Sequence, residues 1–95
     1  MTEIDVSICI VSYNTREFLA VCMKTLSELS TSHTFEVIVT DNGSQDGSVE
    51  MLSNEFPQVQ LIRNAGNEGY TKPMNQALRA GKGRFLMQLN PDTLP

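Results

Sequence analysis

Basic residues are few in this 95-residue chain, which has 7 lysines and arginines against 11 aspartates and glutamates. The formal net charge of −4 at pH 7 argues against nucleic acid or an anionic membrane as an electrostatic partner, because both are polyanions. Long hydrophobic runs are also missing, since no segment approaches the about 18 to 20 apolar residues that a membrane span requires. The composition therefore predicts no membrane span and no nucleic-acid partner.

Cysteine is scarce as well, with two residues, Cys9 and Cys22. Cys9 falls inside an apolar run and Cys22 on the apolar stripe of a predicted helix, which favours reduced core thiols over a disulfide or a metal pair. The amino-terminal residues Met-Thr-Glu-Ile-Asp lack the basic region of a secretory signal, and the apolar run after them is too short for one. The expected location is cytoplasmic, or the inner face of the membrane for a longer, complete protein.

Short apolar runs predict β-strands over residues 6–11, 36–40, 59–62 and 84–89. Apolar residues at three- and four-residue spacing predict helices over residues 15–29, 46–57 and 73–81. Alternating strands and helices are typical of a mostly parallel sheet with right-handed crossovers. We therefore predict one α/β domain over residues 1–95, with three α/β/α layers around an open sheet of strand order 3-2-1-4.

Three local signals support the predicted helix ends. Asp46 is suited to cap the free amides of the second helix. Pro73 fits the first position of the third helix, where its missing N–H is not needed. Gly81 and Gly83 are expected to close that helix.

Each predicted strand ends in a polar cluster. The clusters are Ser12-Tyr13-Asn14, Asp41-Asn42-Gly43-Ser44, Asn64 with Asn67-Glu68-Gly69-Tyr70, and Asn90-Pro91-Asp92. The carboxyl ends of parallel strands lie on one edge of the sheet, and open α/β sheets bind ligands in the crevice there. The pattern predicts a nucleotide-type ligand.

Glycine is absent from the turn after the first strand, Ser12-Tyr13-Asn14-Thr15-Arg16. A dinucleotide-binding fold requires Gly-x-Gly-x-x-Gly there, and the chain also lacks the Gly-x-x-x-x-Gly-Lys-Ser/Thr loop of a phosphate-loop NTPase. An acidic pair, which a phospho-acceptor receiver domain needs at this point, is missing too. These three classes are excluded, and a nucleoside diphosphate lying across the strand ends remains.

The polar clusters contain suitable groups for that ligand. Tyr13 could stack on a base, and Asp41 could accept a hydrogen bond from the imide N–H of uracil or thymine. Asn64, Asn67 or Arg63 could reach ribose and phosphate. Asp92 could hold a divalent cation, Mn²⁺ or Mg²⁺, that bridges two phosphates, because hard cations prefer oxygen ligands.

The same residues also have a purely structural interpretation. Asp-Asn-Gly-Ser and Asn-Pro-Asp are common turn-forming tracts, and Tyr13 could simply cover the end of the sheet. The co-occurrence of four such clusters at one edge favours the functional interpretation over the structural one.

Several segments together resemble family 2 glycosyltransferases. They are Val11-Ser-Tyr-Asn14, residues 39–48, residues 64–70, Asn75 and residues 83–93, in the same order along the chain. The Leu-Asn-Pro-Asp-Thr ending is most similar to the branch that contains rhamnosyltransferases. The resemblance implies the GT-A fold, a UDP- or dTDP-sugar donor, a divalent cation, inversion at the anomeric carbon, and a saccharide or lipid-linked acceptor.

The resemblance also implies site residues. Ser12 and Tyr13 match the base- and ribose-contacting end of the first strand, and Asp41 matches the base-binding aspartate. The segment Asn67-Glu68-Gly69-Tyr70 and Asn75 match the loop and helix start that line the donor pocket, and Asn64 is a further candidate for substrate binding. Asp92 matches the metal-binding aspartate of the family's Asp-x-Asp motif, whose first acid is replaced here by Asn90.

Family members are longer than this chain, which ends at Pro95 directly after the metal motif. The resemblance therefore implies the donor-binding half of a glycosyltransferase, with no catalytic base of its own and no transferase activity alone. The alternative is a stand-alone nucleotide-sugar-binding or regulatory module. The fourth strand would have an unpaired apolar edge, which predicts a homodimer through that strand.

Overall fold

A computed structural model of the protein describes residues 3–28 and 34–89. Within these ranges the elements are β1 (Val6–Ser12), α1 (Arg16–Ser27), β2 (Phe35–Asp41), α2 (Ser48–Glu55), β3 (Gln60–Arg63), α3 (Thr71–Ala80) and β4 (Phe85–Leu89). The predicted alternation of strands and helices is confirmed. The predicted end of the first helix at Leu29 and the Asn90-Pro91-Asp92 segment lie outside the described residues. No helix in the described ranges is both long and apolar enough to cross a membrane.

The described strands form one parallel sheet in the order β3-β2-β1-β4, which confirms the predicted order. β1 lies inside the sheet, between β2 and β4. At its carboxyl end Ser12 lies opposite Asp41 of β2, and Asp41 lies opposite Arg63 of β3. The segments that follow these three strands therefore leave the sheet at one level and on one edge.

Helices cover both faces of the sheet, as the three-layer prediction requires. Ile8 and Ile10 pack with residues of α1 and α2 on one face, whereas Cys9 and Ile38 pack with Met74 of α3 on the other. Successive residues of a strand point to opposite faces, so strands covered on both sides are continuously apolar. This is the physical reason for the uninterrupted apolar runs in the sequence.

Both cysteines are buried and free, which confirms the prediction of core thiols. Cys22 lies in the core beneath α1, and Cys9 lies in the core beneath α3. Burial raises the pKa of both thiols, and the nearby Glu36 carboxylate raises the pKa of Cys9 further. Neutral, inaccessible thiols are poor nucleophiles and poor metal ligands.

Asp46 connects the starts of two helices. One carboxylate oxygen accepts hydrogen bonds from the amide and hydroxyl of Ser48, the first residue of α2, and the other accepts from the amide of Arg16, the first residue of α1. Partial burial would raise the pKa of this carboxyl, but these hydrogen bonds outweigh it and lower the pKa of Asp46. The predicted cap is present and serves α1 as well as α2.

One of the signals at the ends of α3 differs from its prediction. Pro73 is the third residue of the helix rather than the first, and it is tolerated because amides of the first turn have no intrahelical partner. Gly81 is the C-cap residue and closes the helix as predicted, in an extended conformation with φ of −66° and ψ of 135°. Close packing explains why residues 81 and 83 are glycines, since a Cβ at Gly83 would lie 2.6 Å from the amide nitrogen of Ser7.

Hydrogen bonds fix the same turn to the sheet. The Ser7 hydroxyl, which is buried, donates to the Glu36 carboxylate at 2.6 Å and accepts from the Gly83 amide at 2.7 Å. The same Glu36 oxygen accepts from the Lys82 amide at 2.7 Å. The segment between α3 and β4 is thus held against the amino-terminal halves of β1 and β2, opposite the edge with the polar clusters.

β4 forms one edge of the sheet in the described part of the chain. Phe85 is 66% exposed, and Leu86 and Met87 are also exposed although they are apolar. Gln88 is exposed and uncharged. The strand therefore has the exposed apolar edge that the sequence predicts.

Replacing Gly83 with alanine should destabilise the fold. The new Cβ would meet backbone atoms of Ser7 at 2.6 Å and of Val6 at 2.7 Å, so β1 or the turn must move. We expect a loss of about 1 to 3 kcal/mol in the free energy of unfolding, measured by urea denaturation. Gly66→Ala is the matched control, because a Cβ there meets nothing within 4 Å. Equal effects of the two substitutions would show that the turn does not depend on close packing.

Replacing Asp46 with asparagine should destabilise the protein by about 1 kcal/mol at neutral pH, because an amide cannot accept from both helix starts. Since the pKa of Asp46 is lowered in the folded state, its contribution is complete above the ordinary aspartate pKa of about 3.9 and is lost as the pH falls through the folded value. The measurement is the difference in unfolding free energy between wild type and variant from neutral to acid pH. Glu55→Gln removes an exposed carboxylate of α2 as a control. A difference that persists unchanged into acid would contradict this assignment.

Candidate functional site

The polar segments after β1, β2 and β3 are joined by backbone hydrogen bonds beyond the strand ends. The Asn42 amide donates to the Ser12 carbonyl at 2.8 Å, and the Asn64 amide donates to the Asp41 carbonyl at 2.8 Å. Each segment therefore starts beside its neighbour. The structure brings these three predicted clusters together at one edge of the sheet.

The turn after β1 presents an exposed aromatic ring. Ser12 is buried, and its hydroxyl shares a hydrogen bond of 3.0 Å with the Thr15 hydroxyl. Tyr13 is 44% exposed. Asn14 has a left-handed conformation, with φ of 51°, and its side chain accepts from the Gln45 amide at 2.9 Å. The Ser12 side chain is thus occupied within the protein, whereas the ring of Tyr13 is accessible.

Asp41 is only 1% exposed, and the following turn uses most of its carboxylate. One oxygen accepts from the amides of Gly43 and Ser44 at 3.1 and 2.8 Å, and the other accepts from the Ser44 hydroxyl at 2.6 Å. An ionised carboxylate offers about four lone-pair sites, so acceptor capacity for about one further hydrogen bond remains. The turn-forming interpretation is therefore correct, and one lone pair of the carboxylate remains without a partner from the turn.

A network of side-chain amides joins the end of β2 to the loop after β3. The buried Asn42 side chain donates to the Gly69 carbonyl at 2.7 Å and to the Asn67 side chain at 3.3 Å, and it accepts from the Asn64 side chain at 3.2 Å. Asn64 and Gln76 exchange two hydrogen bonds, at 2.9 and 3.3 Å. The predicted residues Asn64, Asn67 and Gly69 are therefore parts of one hydrogen-bonded unit.

Asn42 and Gln76 carry no predicted role in the sequence interpretation. The one sequence feature that points to Asn42 is its position in the Asp-Asn-Gly-Ser cluster, a position that is also typical of an ordinary turn residue. Gln76 gives no local signal, because its contact with Asn64 depends on how α3 packs against the sheet. The role of both residues in the network is visible only in the tertiary structure.

A groove of about 500 Å³ lies beside this network. It is lined by residues 68–72, Asn75 and Arg79. At the rim of the groove, Glu68 and Lys72, which are four residues apart in the sequence, form an ion pair. Tyr70 and Asn75 are exposed there. The groove combines an aromatic ring, an amide, one carboxylate and two cationic side chains, one of which is paired with that carboxylate, a set that suits a polar ligand.

The predicted metal residue, Asp92, lies outside the described residues. Over residues 3–28 and 34–89, no group of three or more histidine, cysteine, aspartate or glutamate side chains could hold a metal ion. The described part of the site therefore supplies no metal centre of its own.

The fold and this edge can be compared with known proteins. The chain is 37% identical over 91 residues to YfnE, an uncharacterised glycosyltransferase of Bacillus subtilis, an alignment that covers 93% of this chain and 23% of YfnE. The chain spans between 13% and 31% of the length of the curated relatives it matches.

Solved structures share the fold at lower identity. A crystal structure of residues 1–349 of TarS from S. aureus in complex with UDP superimposes with a TM-score of 0.81 at 22% identity, over 94% of this chain and 28% of that fragment. The mannosyltransferase PcManGT from Pyrobaculum calidifontis, in complex with GDP-Man and Mn²⁺, superimposes with a TM-score of 0.80 at 22% identity, over 99% of this chain and 29% of that enzyme. The model of glycosyl transferase family 2 matches residues 7–95. The chain belongs to glycosyl transferase family 2.

Proposed function

We propose that this chain is the donor-binding part of a glycosyltransferase, and that it holds the nucleoside diphosphate of a UDP- or dTDP-sugar at the carboxyl ends of β1, β2 and β3. The observation that carries the proposal is the meeting of an exposed Tyr13 ring, a rigidly held Asp41 carboxylate and the Asn42-bound loop at one edge. TarS, whose fold this chain shares, is bound to UDP and to UDP-GlcNAc in its crystal structures.

Asp41 would recognise the base. Its carboxylate is held by two backbone amides and a hydroxyl, so its remaining lone pair needs no reorganisation before it accepts the imide N–H of uracil or thymine. A charge-assisted hydrogen bond in a buried position is roughly twice as strong as a neutral one. The exposed ring of Tyr13, one residue beyond the paired Ser12, would stack on the same base.

Ribose and diphosphate would then lie along the loop after β3. Asn67, Gly69 and Asn75 are the predicted contacts, and the last two line the groove with Lys72 and Arg79. Cationic side chains there would offset the charge of the diphosphate. Asn64 would act through its amide pair with Gln76 rather than by direct contact, because both of its polar atoms have partners.

Asp92 would hold a Mn²⁺ or Mg²⁺ ion against the diphosphate, an assignment supported by the GDP-Man and Mn²⁺ complex of PcManGT. When bound, such a cation neutralises charge on the leaving diphosphate. One carboxylate and the phosphates would supply most of the ligands, as is usual for such a cation beside phosphate.

The reaction we propose for the complete protein is a direct displacement with inversion. A hydroxyl of a saccharide or lipid-linked acceptor attacks the anomeric carbon while the bond from that carbon to the diphosphate oxygen breaks. The acceptor proton passes to a general base, and the nucleoside diphosphate leaves with the bonding electrons. We place that base and the acceptor site in the additional length of the family relatives, so this chain alone would bind the donor without transferring sugar.

The cytoplasmic location and the rhamnosyltransferase-type branch remain predictions.

Asp41→Asn tests the proposed base contact. We expect the affinity for UDP, measured by titration calorimetry with Mn²⁺ present, to fall at least about tenfold, because a hydrogen bond to a charged group contributes about 1.5 to 3 kcal/mol. The variant amide can instead donate to the unprotonated ring nitrogen of cytosine. The preference for UDP over CDP should therefore shrink in this variant.

Asp46→Asn is the matched control, because it also perturbs a carboxylate that holds a turn but has no proposed ligand contact. It should lower the affinities for UDP and CDP by the same small factor. Equal losses of UDP and CDP binding in Asp41→Asn would contradict base recognition by this residue. Sugar transfer catalysed by the purified 95-residue chain would refute the claim that it only binds the donor.

We also propose a homodimer of this chain through β4. Phe85, Leu86 and Met87 are exposed on an edge strand that lacks charged residues between Phe85 and Leu89, and such edges recruit other strands. Sedimentation at micromolar concentration should show a dimer or larger species. Met87→Lys should shift the population to monomer, whereas Gln58→Lys at another exposed site should not. A monomeric wild-type chain would show that the edge does not self-associate.

A further inference from the structure

Asn42 is a buried side chain at the strand ends whose nitrogen and oxygen atoms all make hydrogen bonds. No contact between Asn42 and the donor is proposed above. Asn42 is 1% exposed. Its amide nitrogen donates to the Gly69 carbonyl and the Asn67 side chain, and its oxygen accepts from Asn64. Both of its donors are therefore satisfied. The Gly69 carbonyl can only accept, so the orientation of the Asn42 amide is determined by that contact.

The network continues outward from Asn42 in two directions. Towards α3, Asn64 and Gln76 form a reciprocal amide pair. Towards the groove, the Asn67 side chain accepts from the Gly69 amide at 2.9 Å. Asn42 thus bonds to the Gly69 carbonyl directly, and it is connected to the Gly69 amide through the side chain of Asn67.

In the loop between β3 and α3, the backbone of Ala65 and Gly66 packs closely against Gly43, whereas the later residues are held mainly by hydrogen bonds. Residues 65–70 are all exposed, and none belongs to a helix or strand. Exposed segments without apolar contacts open locally at low free-energy cost. The position of the groove rim at residues 68–70 therefore depends on the few hydrogen bonds that reach the loop from the sheet, and Asn42 donates two of these.

We propose that Asn42 is a positioning residue for the donor: it fixes the Gly69–Tyr70 rim of the groove, with the Asn64–Gln76 pair as its support. The proposal rests on the donor-binding function of this edge, because it assigns Asn42 a role in affinity without contact to the ligand. An aspartate would not substitute at neutral pH. Its ionised carboxylate has no donor and would face the Gly69 carbonyl and the Asn67 side-chain oxygen, both of which are acceptors.

Asn42→Asp is the test, with Asn54→Asp as the matched control on the exposed face of α2. In the absence of nucleotide, the hydrogen-bonded amides of Asn64 and Gly69 should exchange with solvent at least about tenfold faster in Asn42→Asp than in the control. The affinity for UDP should also fall about tenfold, which corresponds to about 1.4 kcal/mol.

Acidification supplies a readout that general destabilisation would not give. Protonation of the introduced carboxyl restores one O–H donor, so the affinity ratio between Asn42→Asp and wild type should recover as the pH falls from 7 towards 4. The carboxylates of Asp41 and Glu68, the cations Lys72 and Arg79, and the ligand phosphates are present in wild type, variant and control alike. A recovery of the ratio is therefore specific to the introduced carboxyl and its interaction with these groups.

Gln76→Met provides a second variant if Asn42→Asp does not fold, as judged by circular dichroism. It removes the outer amide pair and should raise loop exchange by a smaller factor. Unchanged exchange of the Asn64 and Gly69 amides in the folded variants would overturn the positioning role. Faster exchange with unchanged UDP affinity would overturn its connection to the donor. If wild type binds neither UDP nor dTDP, the donor-binding function fails and the connection to the donor fails with it, while hydrogen exchange still decides whether Asn42 holds the loop.

Discussion

The in-register pairing of β1, β2 and β3 is the constraint on which the candidate site depends. Because the strands are parallel and Ser12, Asp41 and Arg63 lie at one level, the segments that follow them leave the sheet on the same edge. The backbone hydrogen bonds from Asn42 to Ser12 and from Asn64 to Asp41 extend this alignment past the strands. A slip of one residue would exchange the two faces of a strand, which would disrupt its packing against the helices on both faces and move the carboxylate of Asp41 to the other side of the sheet.

Beyond the ends of the strands, hydrogen bonds from polar side chains, rather than backbone pairing, hold the chain in place. Asp41 holds its own turn, Asn42 holds the loop after β3, and Asp46 joins the starts of α1 and α2. Each does so because a turn residue leaves backbone amides or carbonyls without partners. Structural and ligand-binding roles are therefore compatible in one residue, since a carboxylate held by its turn is already oriented before a ligand arrives.

The two ends of the sheet are organised by different interactions. At the amino end, the buried Ser7 hydroxyl and the close approach of Gly83 lock the turn before β4 against β1. At the carboxyl end, exposed loops are held by amide and carboxylate hydrogen bonds. This division places adaptable segments where a ligand can bind and rigid packing where it cannot, which is the usual arrangement in open α/β folds. It also agrees with the retention of the fold at 22% identity to TarS and PcManGT.

The sequence by itself determined the strands and helices, the parallel arrangement of the sheet, the core cysteines and the clustering of polar residues at one edge. These follow from local patterns, because hydrophobic periodicity and chain alternation act over a few residues. Only the tertiary structure decided that the carboxylate of Asp41 is largely used by its own turn, that close packing rather than helix capping requires Gly83, and that Asn42 and Gln76 organise the loop. The physical reason is distance along the chain: Asn42 meets Asn64, Asn67 and Gly69 across 22, 25 and 27 residues, and hydrogen bonds near 3 Å between such residues exist only once α3 and the loop have packed against the sheet.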